Sequence, residues 1–516
     1  MLASDEMGGR GNGTEFLAKA GNYLAAEAKA IGLEPGGDDS TFFENFEVVG
    51  AKSANHSTLT VEVNGQRRVF RHGEEVEFGP YVGGRRSFTI DEVEFIGYGI
   101  QDPALGHDDF ARTGLRGKAV AWFGGRGPAG ATLTTIAVNE YVRPGAAAAA
   151  GVPMVIGLSP AGIRAEATGR TVAPRPRTSD IDFTTVGPLD GAPPTPLGVT
   201  VRQADAFYSF LLSASGVSFA DLEARAKARA PLPHFTVKGA KLTVNLEADY
   251  AIVRSSPSRN VVGLIRGSDP LLAGTRLVLG AHYDHLVTGL EARPLDGIGP
   301  RPAAARANDT IYNGADDNGS GSVALLAIAK AMLAGPKPRR TVEFVWFAGE
   351  ERGRLGSQYH ADHGPSAERV VAMLNLDMIG RNENDDPGRS RTVNIIGSDR
   401  ISTELHNLNE EANARLPEPL RLDYDHNGLL NVRLYYFGSD QYTYALKGIP
   451  VVFYNTGKHP DYHQVTDSAD RIDYLKAALV TRLAYETAMR VANLDHPPVR
   501  DNRGVRVGKG RSGPIR

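Results

Sequence analysis

The sequence contains no cysteine, and this absence excludes several kinds of site. A chain without thiols has no cysteine nucleophile, no disulfide and no cysteine-based zinc site. No apolar run approaches the ~20 residues that a membrane-spanning helix needs. Acidic and basic residues nearly balance, with a formal net charge of −3. Nothing global therefore attracts nucleic acid or an anionic membrane, and we expect a soluble chain with neither as a partner.

The amino end lacks the charged and then apolar stretch of a signal peptide. It begins MLASDEMGGRGNGT, with small and acidic residues. Two interpretations fit: a cytoplasmic protein, or an exported one whose leader is absent from this sequence. At the other end, residues 497–516 carry Gly, Pro and scattered Arg without an apolar pattern, which predicts a disordered tail.

Polar residues end four consecutive segments in the middle of the chain. These are TRLVLGAHYDHL (275–286), YNGADDNGSG (312–321), TVEFVWFAGEERG (341–353) and VVAMLNLDMIG (370–380). The apolar runs 277–280, 342–347 and 370–376 predict buried strands, and 322–333 predicts a helix beside them. This alternation predicts an α/β fold with a mixed, mostly parallel central sheet flanked by helices, whose functional groups collect at the carboxyl ends of strands.

The remaining segments predict an insertion into this main domain. The alternating runs 58–63 and 66–71, separated by Asn64-Gly65, predict a hairpin. Further predicted elements are short strands at 93–99, 118–124 and 153–158, a helix over 203–230 and a strand at 241–248. We therefore expect an inserted module at 56–244, with the main domain formed by 1–55 and 245–496.

Helices are predicted at both ends of the main domain. An Ala- and Leu-rich face predicts a helix over 14–31, with Asn12 or Thr14 as its cap. Beyond residue 380, the pattern predicts a helix over 401–415, a strand over 449–455 and a closing helix over 474–491.

Imidazole and carboxylate groups are frequent at the ends of the predicted strands, and such ligands suit zinc. The candidates, in chain order, are His282, Asp284, Asp317, Glu350, Glu351, Asp377 and His463. Two divalent ions bring a charge of about +4, three carboxylates reduce it to about +1, and a bound hydroxide neutralises it. The charge count favours two metal ions ~3.5–4 Å apart that share a hydroxide nucleophile.

Five blocks of the sequence also resemble a known family. HYDHL, GADDNGSG, AGEERGRLGS, LNLDMIGR and HPDYHQVTD are similar, in this order, to blocks of the co-catalytic zinc exopeptidases of peptidase family M28. That family includes bacterial leucyl aminopeptidases and glutamate carboxypeptidases. The resemblance covers most of 1–50 and 250–490. LASDEMGGRG is similar to the opening block of large bacterial members, where it follows an additional helix, and this favours export to the periplasm or the medium.

The resemblance implies a metal centre with two Zn²⁺ per chain, for which Co²⁺ or Mn²⁺ can substitute. His282 and Asp377 would hold one zinc, and Glu351 and His463 the other. Asp317 would bridge the two ions.

The resemblance also implies roles for residues outside the coordination sphere. Glu350 would be the general base, Asp284 would orient the imidazole of His282, and Tyr462 would donate a hydrogen bond to the developing oxyanion. The peptide bond after Asp317 is often cis in this family. His285 and His459 lie close enough in the sequence to be mistaken for ligands.

The function implied is that of an aminopeptidase, which hydrolyses the N-terminal bond of a peptide substrate. Within the insertion, residues 90–200 resemble a protease-associated (PA) domain. Alternatives stay open: a carboxypeptidase that clamps a carboxylate with Arg352, Arg354 or Arg381, a one-zinc glutaminyl cyclase, or a non-catalytic binding protein on the same scaffold. The sequence does not indicate an oligomeric state.

Overall fold

A computed structural model describes the chain except for residues 80–82, 103–104, 112, 159–180, 188, 190–195, 287–308, 365–368, 428–434 and 502–516. It divides into two units, one formed by Met1–Val48 with Ser256–Arg516 and the other by Val49–Ser255. The predicted insertion, 56–244, lies inside the second unit. Most of the predicted tail lies outside the described residues.

The first unit contains a mixed sheet with a parallel centre. Its strands are β1 (Glu34–Pro35), β2 (Phe43–Asn55), β3 (Ala248–Ile265), β4 (Arg276–His282), β5 (Thr341–Phe347), β6 (Val370–Leu376), β7 (Thr392–Ile396), β8 (Arg421–Asp423) and β9 (Val451–Asn455); β2 and β3 continue into the second unit. Among these strands the order is β2-β3-β5-β4-β6-β9-β7-β8, and β1 pairs with β3; a tenth strand, Phe183–Thr185, pairs with β2. The four central strands, β5, β4, β6 and β9, are mutually parallel. Strands β3 and β7 are antiparallel to their neighbours in this central group.

The predicted buried strands are confirmed, as is the fold class. Every residue of β5, β6 and β9 is buried, as expected for strands covered on both faces. The helices of this unit are α1 (Glu15–Ile31), α2 (Gly321–Ala334), α3 (Leu355–His363), α4 (Thr403–Ala414), α5 (Gln441–Leu446) and α6 (Tyr474–Asn493). Thr14 caps α1 by accepting a hydrogen bond from the Leu17 backbone N–H at 3.3 Å.

The second unit has its own hydrophobic core and its own sheets. One sheet contains Thr58–Val63, Gln66–Arg71, Arg86–Ile90 and Ala240–Leu246; the other contains Val76–Phe78, Val93–Ile96, Ala119–Ala121, Met154–Leu158, Leu197–Val201 and His234–Thr236. The hairpin around Asn64-Gly65 is confirmed, with Val63 paired to Gln66. The likeness of 90–200 to a PA domain stays a prediction.

The helix predicted over 203–230 is wrong as a single element. Among the described residues of this unit, the helices are Leu133–Ala149, Ala204–Leu211 and Phe219–Lys227. The chain turns between the last two at Gly216, whose φ is 74°. Ser218 then begins a new helix by accepting a hydrogen bond from the Asp221 backbone N–H at 3.1 Å. Across the described residues of both units, no helix has the length and apolar character of a membrane span.

Candidate metal centre

The carboxyl ends of the four parallel strands carry most of the predicted site residues. His282 is the last residue of β4, and Asp377 directly follows β6. Glu350 and Glu351 begin the short 3-10 turn after β5. His463 lies in the loop that follows β9. Because parallel strands end at the same edge of a sheet, residues that are distant in the sequence meet there.

Asp317 reaches this edge from the loop that precedes α2. The loop begins at Gly314, whose φ is 55°, and a Cβ there would lie 2.2 Å from the Asp317 carbonyl oxygen. The Asn318 side chain donates to the Leu376 carbonyl at 2.9 Å, which fastens the loop to the end of β6. The peptide bond between Asp317 and Asn318 is cis, as the resemblance predicts.

One group of potential ligands surrounds the Nε2 atom of His282. Asp317 Oδ1 lies 3.2 Å from this nitrogen, and Asp377 Oδ1 lies 3.4 Å from it. All three side chains are buried. Their atoms converge closely enough to hold one metal ion.

A second group surrounds the other oxygen of the same aspartate. Asp317 Oδ2 lies 3.1 Å from His463 Nε2, which in turn lies 3.2 Å from Glu351 Oε2. His285 also approaches this group, with its Nδ1 atom 2.8 Å from Glu351 Oε1 and 4.0 Å from Asp317 Oδ2. The carboxylate of Asp317 therefore faces one group with each oxygen.

The chemistry of the first group fits a cation. His282 Nδ1 lies 3.1 Å from the Asp284 carbonyl oxygen, which favours the proton on Nδ1 and leaves a lone pair on Nε2. Asp377 Oδ1 is buried and has no hydrogen-bond partner among the described residues. Converging lone pairs and carboxylate oxygens need a positive charge between them. Tetrahedral zinc with bonds of about 2.0–2.1 Å holds its ligand atoms about 3.3 Å apart, which agrees with the contacts around His282.

Among the described residues, the side chain of Glu350 forms no ion pair or hydrogen bond with either group, although Glu350 directly precedes Glu351. Its backbone N–H donates to Asp284 Oδ1 at 3.1 Å. Burial, reinforced by the carboxylates of Glu351 and Asp440, raises the pKa of Glu350 well above its usual range. A raised pKa suits a carboxyl group that accepts and then returns a proton.

The predicted orienting role of the Asp284 side chain stays a prediction. The carboxylate oxygen nearest to His282 Nδ1 is 3.7 Å away, farther than the backbone carbonyl of the same aspartate at 3.1 Å. In this geometry the backbone of Asp284 orients the imidazole. The Asp284 carboxylate instead fixes the turn that carries Glu350.

Tyr462 lies against the second group. Its ring stacks on the His463 imidazole with centroids 3.8 Å apart and an interplanar angle of 21°. Burial, reinforced by the carboxylates of Asp317 and Glu351, raises the pKa of Tyr462 well above its usual value. The hydroxyl is therefore protonated at neutral pH and can donate a hydrogen bond.

Several residues that support the centre were not identified from the sequence. Ser439 donates to Asp377 Oδ2 at 2.7 Å, and the Asn455 side chain donates to the Asp377 carbonyl at 2.7 Å. Asp467 accepts hydrogen bonds from the backbone of the Asp317 loop. Their only sequence signal is a polar residue next to a predicted strand or ligand. His459, by contrast, lies behind the site, 3.3 Å from Asp316 Oδ2.

The arginines near the site in the sequence have other contacts. Arg381 donates to Asp385 at 2.7 Å and to Asp461 at 2.9 Å. Arg354 donates to a backbone carbonyl, and Arg352 is exposed. Arg381 and Arg354 are thus already engaged by groups of the protein itself.

Comparison with known proteins identifies the same part of the chain. The family model for "Peptidase family M28" matches residues 260–488. A probable leucine aminopeptidase of Arthroderma otae is 32% identical over 233 residues, which cover 42% of this chain and 55% of that protein. Leucine aminopeptidase 1 of Trichophyton equinum is 35% identical over 153 residues, 28% of this chain and 35% of the relative. The chain thus covers about half or less of each relative's length.

Solved structures that match this chain include two bacterial enzymes. The aminopeptidase from Aneurinibacillus sp. strain AM-1 matches with a TM-score of 0.41 and 18% identity, covering 98% of this chain and 93% of that one. BSAP, a zinc aminopeptidase from Bacillus subtilis, matches with a TM-score of 0.43 and 17% identity, covering 98% and 96%. By its sequence match, the segment 260–488 belongs to peptidase family M28.

Proposed function

We propose that this chain is an aminopeptidase that holds two zinc ions and hydrolyses the N-terminal bond of peptides. One observation carries the proposal. Asp317 presents Oδ1 to His282 at 3.2 Å and Oδ2 to His463 at 3.1 Å, the arrangement expected of a carboxylate shared between two ions. Asp377 would complete the first ligand set and Glu351 the second.

Zinc bound at these positions would polarise the scissile carbonyl and lower the pKa of a water molecule beside it. The chain itself supplies the proton transfer. Glu350, excluded from both ligand groups, takes a proton from the attacking water and returns it to the leaving amine. The hydrogen bond from its backbone N–H to Asp284 fixes the turn from which it acts.

Tyr462 supplies a hydrogen-bond donor at the same edge of the sheet. Because its pKa is raised, the phenol keeps its proton and can donate to the oxygen that gains negative charge during attack. Stacking on His463 restricts the ring to one orientation. We expect this hydrogen bond to raise kcat, because the oxygen becomes negatively charged only in the transition state.

Charge favours a free amine over a free carboxylate as the recognised end of the substrate. The site concentrates carboxylates, including Glu350, Asp377 and the buried Asp440. Arg381 already pairs with two aspartates and Arg354 already donates to a backbone carbonyl, which weakens the case for either as a clamp on a substrate carboxylate. The names of the fungal relatives support the same choice. A second complete ligand group argues against a one-zinc cyclase and against a binding protein that has lost its ligands.

The test compares two neighbouring isosteric variants, Glu350→Gln and Glu351→Gln. Metal content is counted by mass spectrometry, and turnover is measured with leucine p-nitroanilide and its N-acetyl derivative. We expect wild type to hold two zinc ions and to cleave only the free-amine substrate. Glu350→Gln should keep both ions and lose roughly 10²–10⁴-fold in kcat. Glu351→Gln should lose one ion.

Two results would reject the proposal. Near-normal turnover by Glu350→Gln would remove this residue from the proton transfer. Preferential cleavage of the N-blocked substrate would assign the chain to another class of peptidase.

A further inference from the structure

Arg10 is a buried arginine whose hydrogen bonds all go to backbone carbonyls. Its side chain donates to Tyr283 at 2.8 Å, Asn313 at 2.7 Å, Gly314 at 2.9 Å and also to Leu2. The residue is only 1% exposed. Among the described residues, no carboxylate forms an ion pair with it. One planar group thus joins segments that are hundreds of residues apart.

Two of these segments directly adjoin or lead to potential metal ligands. Tyr283 directly follows His282 at the end of β4. Gly314 begins the loop that leads to Asp317. The guanidinium of Arg10 therefore links the backbone beside one ligand to the backbone beside the other.

The segment that carries Arg10 is fitted closely against both loops. Gly9 has a φ of 74°, and a Cβ there would lie 2.6 Å from the Leu286 carbonyl oxygen and 2.9 Å from that of Tyr312. Arg10 itself has a φ of 57°. Its carbonyl accepts a hydrogen bond from the His285 backbone N–H at 3.3 Å. A side chain at position 9 would force this segment away from the loops.

The positive charge of Arg10 also interacts with the carboxylates of the metal centre. Burial lowers its pKa to about 10, opposed by the carboxylates of Asp284, Asp467, Asp317 and Glu351. The guanidinium therefore remains protonated at neutral pH. Since its hydrogen-bond partners are neutral carbonyls, its charge acts on the carboxylates of the site.

Arg340 provides a comparison for this arrangement within the same unit. It too is fully buried, and it donates to Thr275 Oγ1 at 2.6 Å and to the carbonyls of Leu494 and His496 at 3.3 and 3.2 Å. Arg340 precedes β5, however, at the strand end opposite to the ligands. Seven strand residues at about 3.3 Å each separate the two ends by about 23 Å.

We propose that Arg10 is a positioning residue of the metal centre, holding the loop after β4 and the loop before α2 at the separation that a shared metal site needs. The proposal rests on the proposed function only in treating these loops as ligand carriers. A lysine cannot replace the arginine, because an ammonium lacks the planar fork that reaches three loop carbonyls at once.

The first experiment measures amide hydrogen exchange in metal-free wild type, Arg10→Lys, Arg10→Gln and Arg340→Lys. In both Arg10 variants, we expect faster exchange in peptides covering 280–286 and 311–321. Arg340→Lys should leave these peptides at wild-type rates and affect exchange near the start of β5.

The second experiment measures zinc affinity by competition with a chelator. We expect the Arg10 variants to raise the zinc dissociation constant roughly 10–100-fold, the range found for other residues that support metal ligands. Arg340→Lys should bind zinc as wild type does, even though its thermal midpoint falls.

The proposal would be overturned if Arg10→Lys showed the hydrogen-exchange rates and zinc affinity of wild type. It would also be overturned if Arg340→Lys lost as much protection and zinc affinity as the Arg10 variants. Failure of Arg10→Lys to fold, when Arg340→Lys folds, would also overturn it by indicating a general role in stability. A wild-type protein that binds zinc but does not cleave leucine p-nitroanilide would reject the proposed function alone. The positioning role would still be decided by exchange and affinity.

Discussion

The carboxylate of Asp467 accepts a 3.1 Å hydrogen bond from the backbone N–H of Asp317, the residue that faces both ligand groups. It also accepts from the backbone N–H of Asp316 at 3.0 Å. Asp467 lies four residues after His463 in the sequence. One side chain therefore couples the loop that supplies His463 to the loop that supplies Asp317.

Asp467→Asn should weaken zinc binding without unfolding the protein. The amide would present an N–H₂ group to a backbone donor, and the Asp317 loop would shift away from it. We expect the zinc dissociation constant to rise roughly 10–100-fold. Asp386→Asn is the matched control, because Asp386 accepts from the Gly388 backbone N–H at 2.8 Å and belongs to neither ligand group. Equal affinities in the two variants would contradict the assignment.

Asp317→Asn and Asp377→Asn should differ in metal stoichiometry. Asp317 faces both groups, whereas Asp377 contacts only the first. We expect about one zinc per chain in Asp377→Asn and fewer in Asp317→Asn, counted by mass spectrometry after dialysis. Saturating zinc at about 1,000 times its dissociation constant stabilises a protein by about 4 kcal/mol per site. The zinc-dependent rise in thermal midpoint should therefore be smallest in Asp317→Asn; identical stoichiometries would disprove the shared role.

Gly314→Ala should disrupt the site by more than the cost of placing an alanine in a left-handed backbone conformation. The new Cβ would lie 2.2 Å from the Asp317 carbonyl oxygen and 2.6 Å from the His285 ring. Gly448→Ala is the control, since Gly448 has a φ of 72° and nothing lies within 4 Å of its added Cβ. The control should lose about 1 kcal/mol of unfolding free energy, whereas Gly314→Ala should lose several and bind zinc more weakly. If the two variants lost similar amounts of unfolding free energy in urea, the neighbouring atoms would have moved to relieve the clash at position 314.

His360 should make the stability of the first unit depend on pH. Its Nδ1 atom lies 2.9 Å from Glu44 Oε1, and Nε2 lies 3.8 Å from Glu343 Oε2. Burial alone would lower the pKa of His360, but the two carboxylates raise it to about 10. The folded chain thus holds a proton that the unfolded chain releases near pH 6.5. This contribution is complete below about pH 6.5 and disappears as the pH rises to about 10.

At pH 6, we therefore expect the unfolding free energy of metal-free wild type to be a few kcal/mol higher than that of His360→Gln. The difference should shrink at pH 9, as measured by urea unfolding. His363→Gln serves as the control, because His363 is an exposed residue of the same helix. A difference that grows with pH would have the wrong sign.

The sequence predicted the central sheet well because its strands are covered on both faces. Runs such as 342–347 and 370–376 are almost continuously apolar, a pattern that few surface segments share. The convergence of His282, Glu351 and Asp377 then followed from one rule, that parallel strands end at a common edge. The short strands β7 and β8 were missed, since a few residues carry little periodicity.

The supporting residues were harder to predict because they act on backbone atoms. A hydrogen bond from Arg10 to the Tyr283 carbonyl requires no particular residue type at position 283. The same holds for Asp467, whose partners are N–H groups. Such contacts require no pattern of residue types or spacings in the sequence, so only the folded structure reveals them. The break at Gly216 was missed for a related reason: apolar residues on both sides of it keep a helical pattern.

The wide separation of the ligand residues along the chain affects how preparations can be assayed. Residues from His282 to His463 meet only when all four parallel strands are in register. A partly assembled or misfolded molecule can present some of the ligand residues, but it cannot bind two zinc ions. Titrating a sample with zinc would therefore count the molecules whose first unit is complete, independently of any substrate.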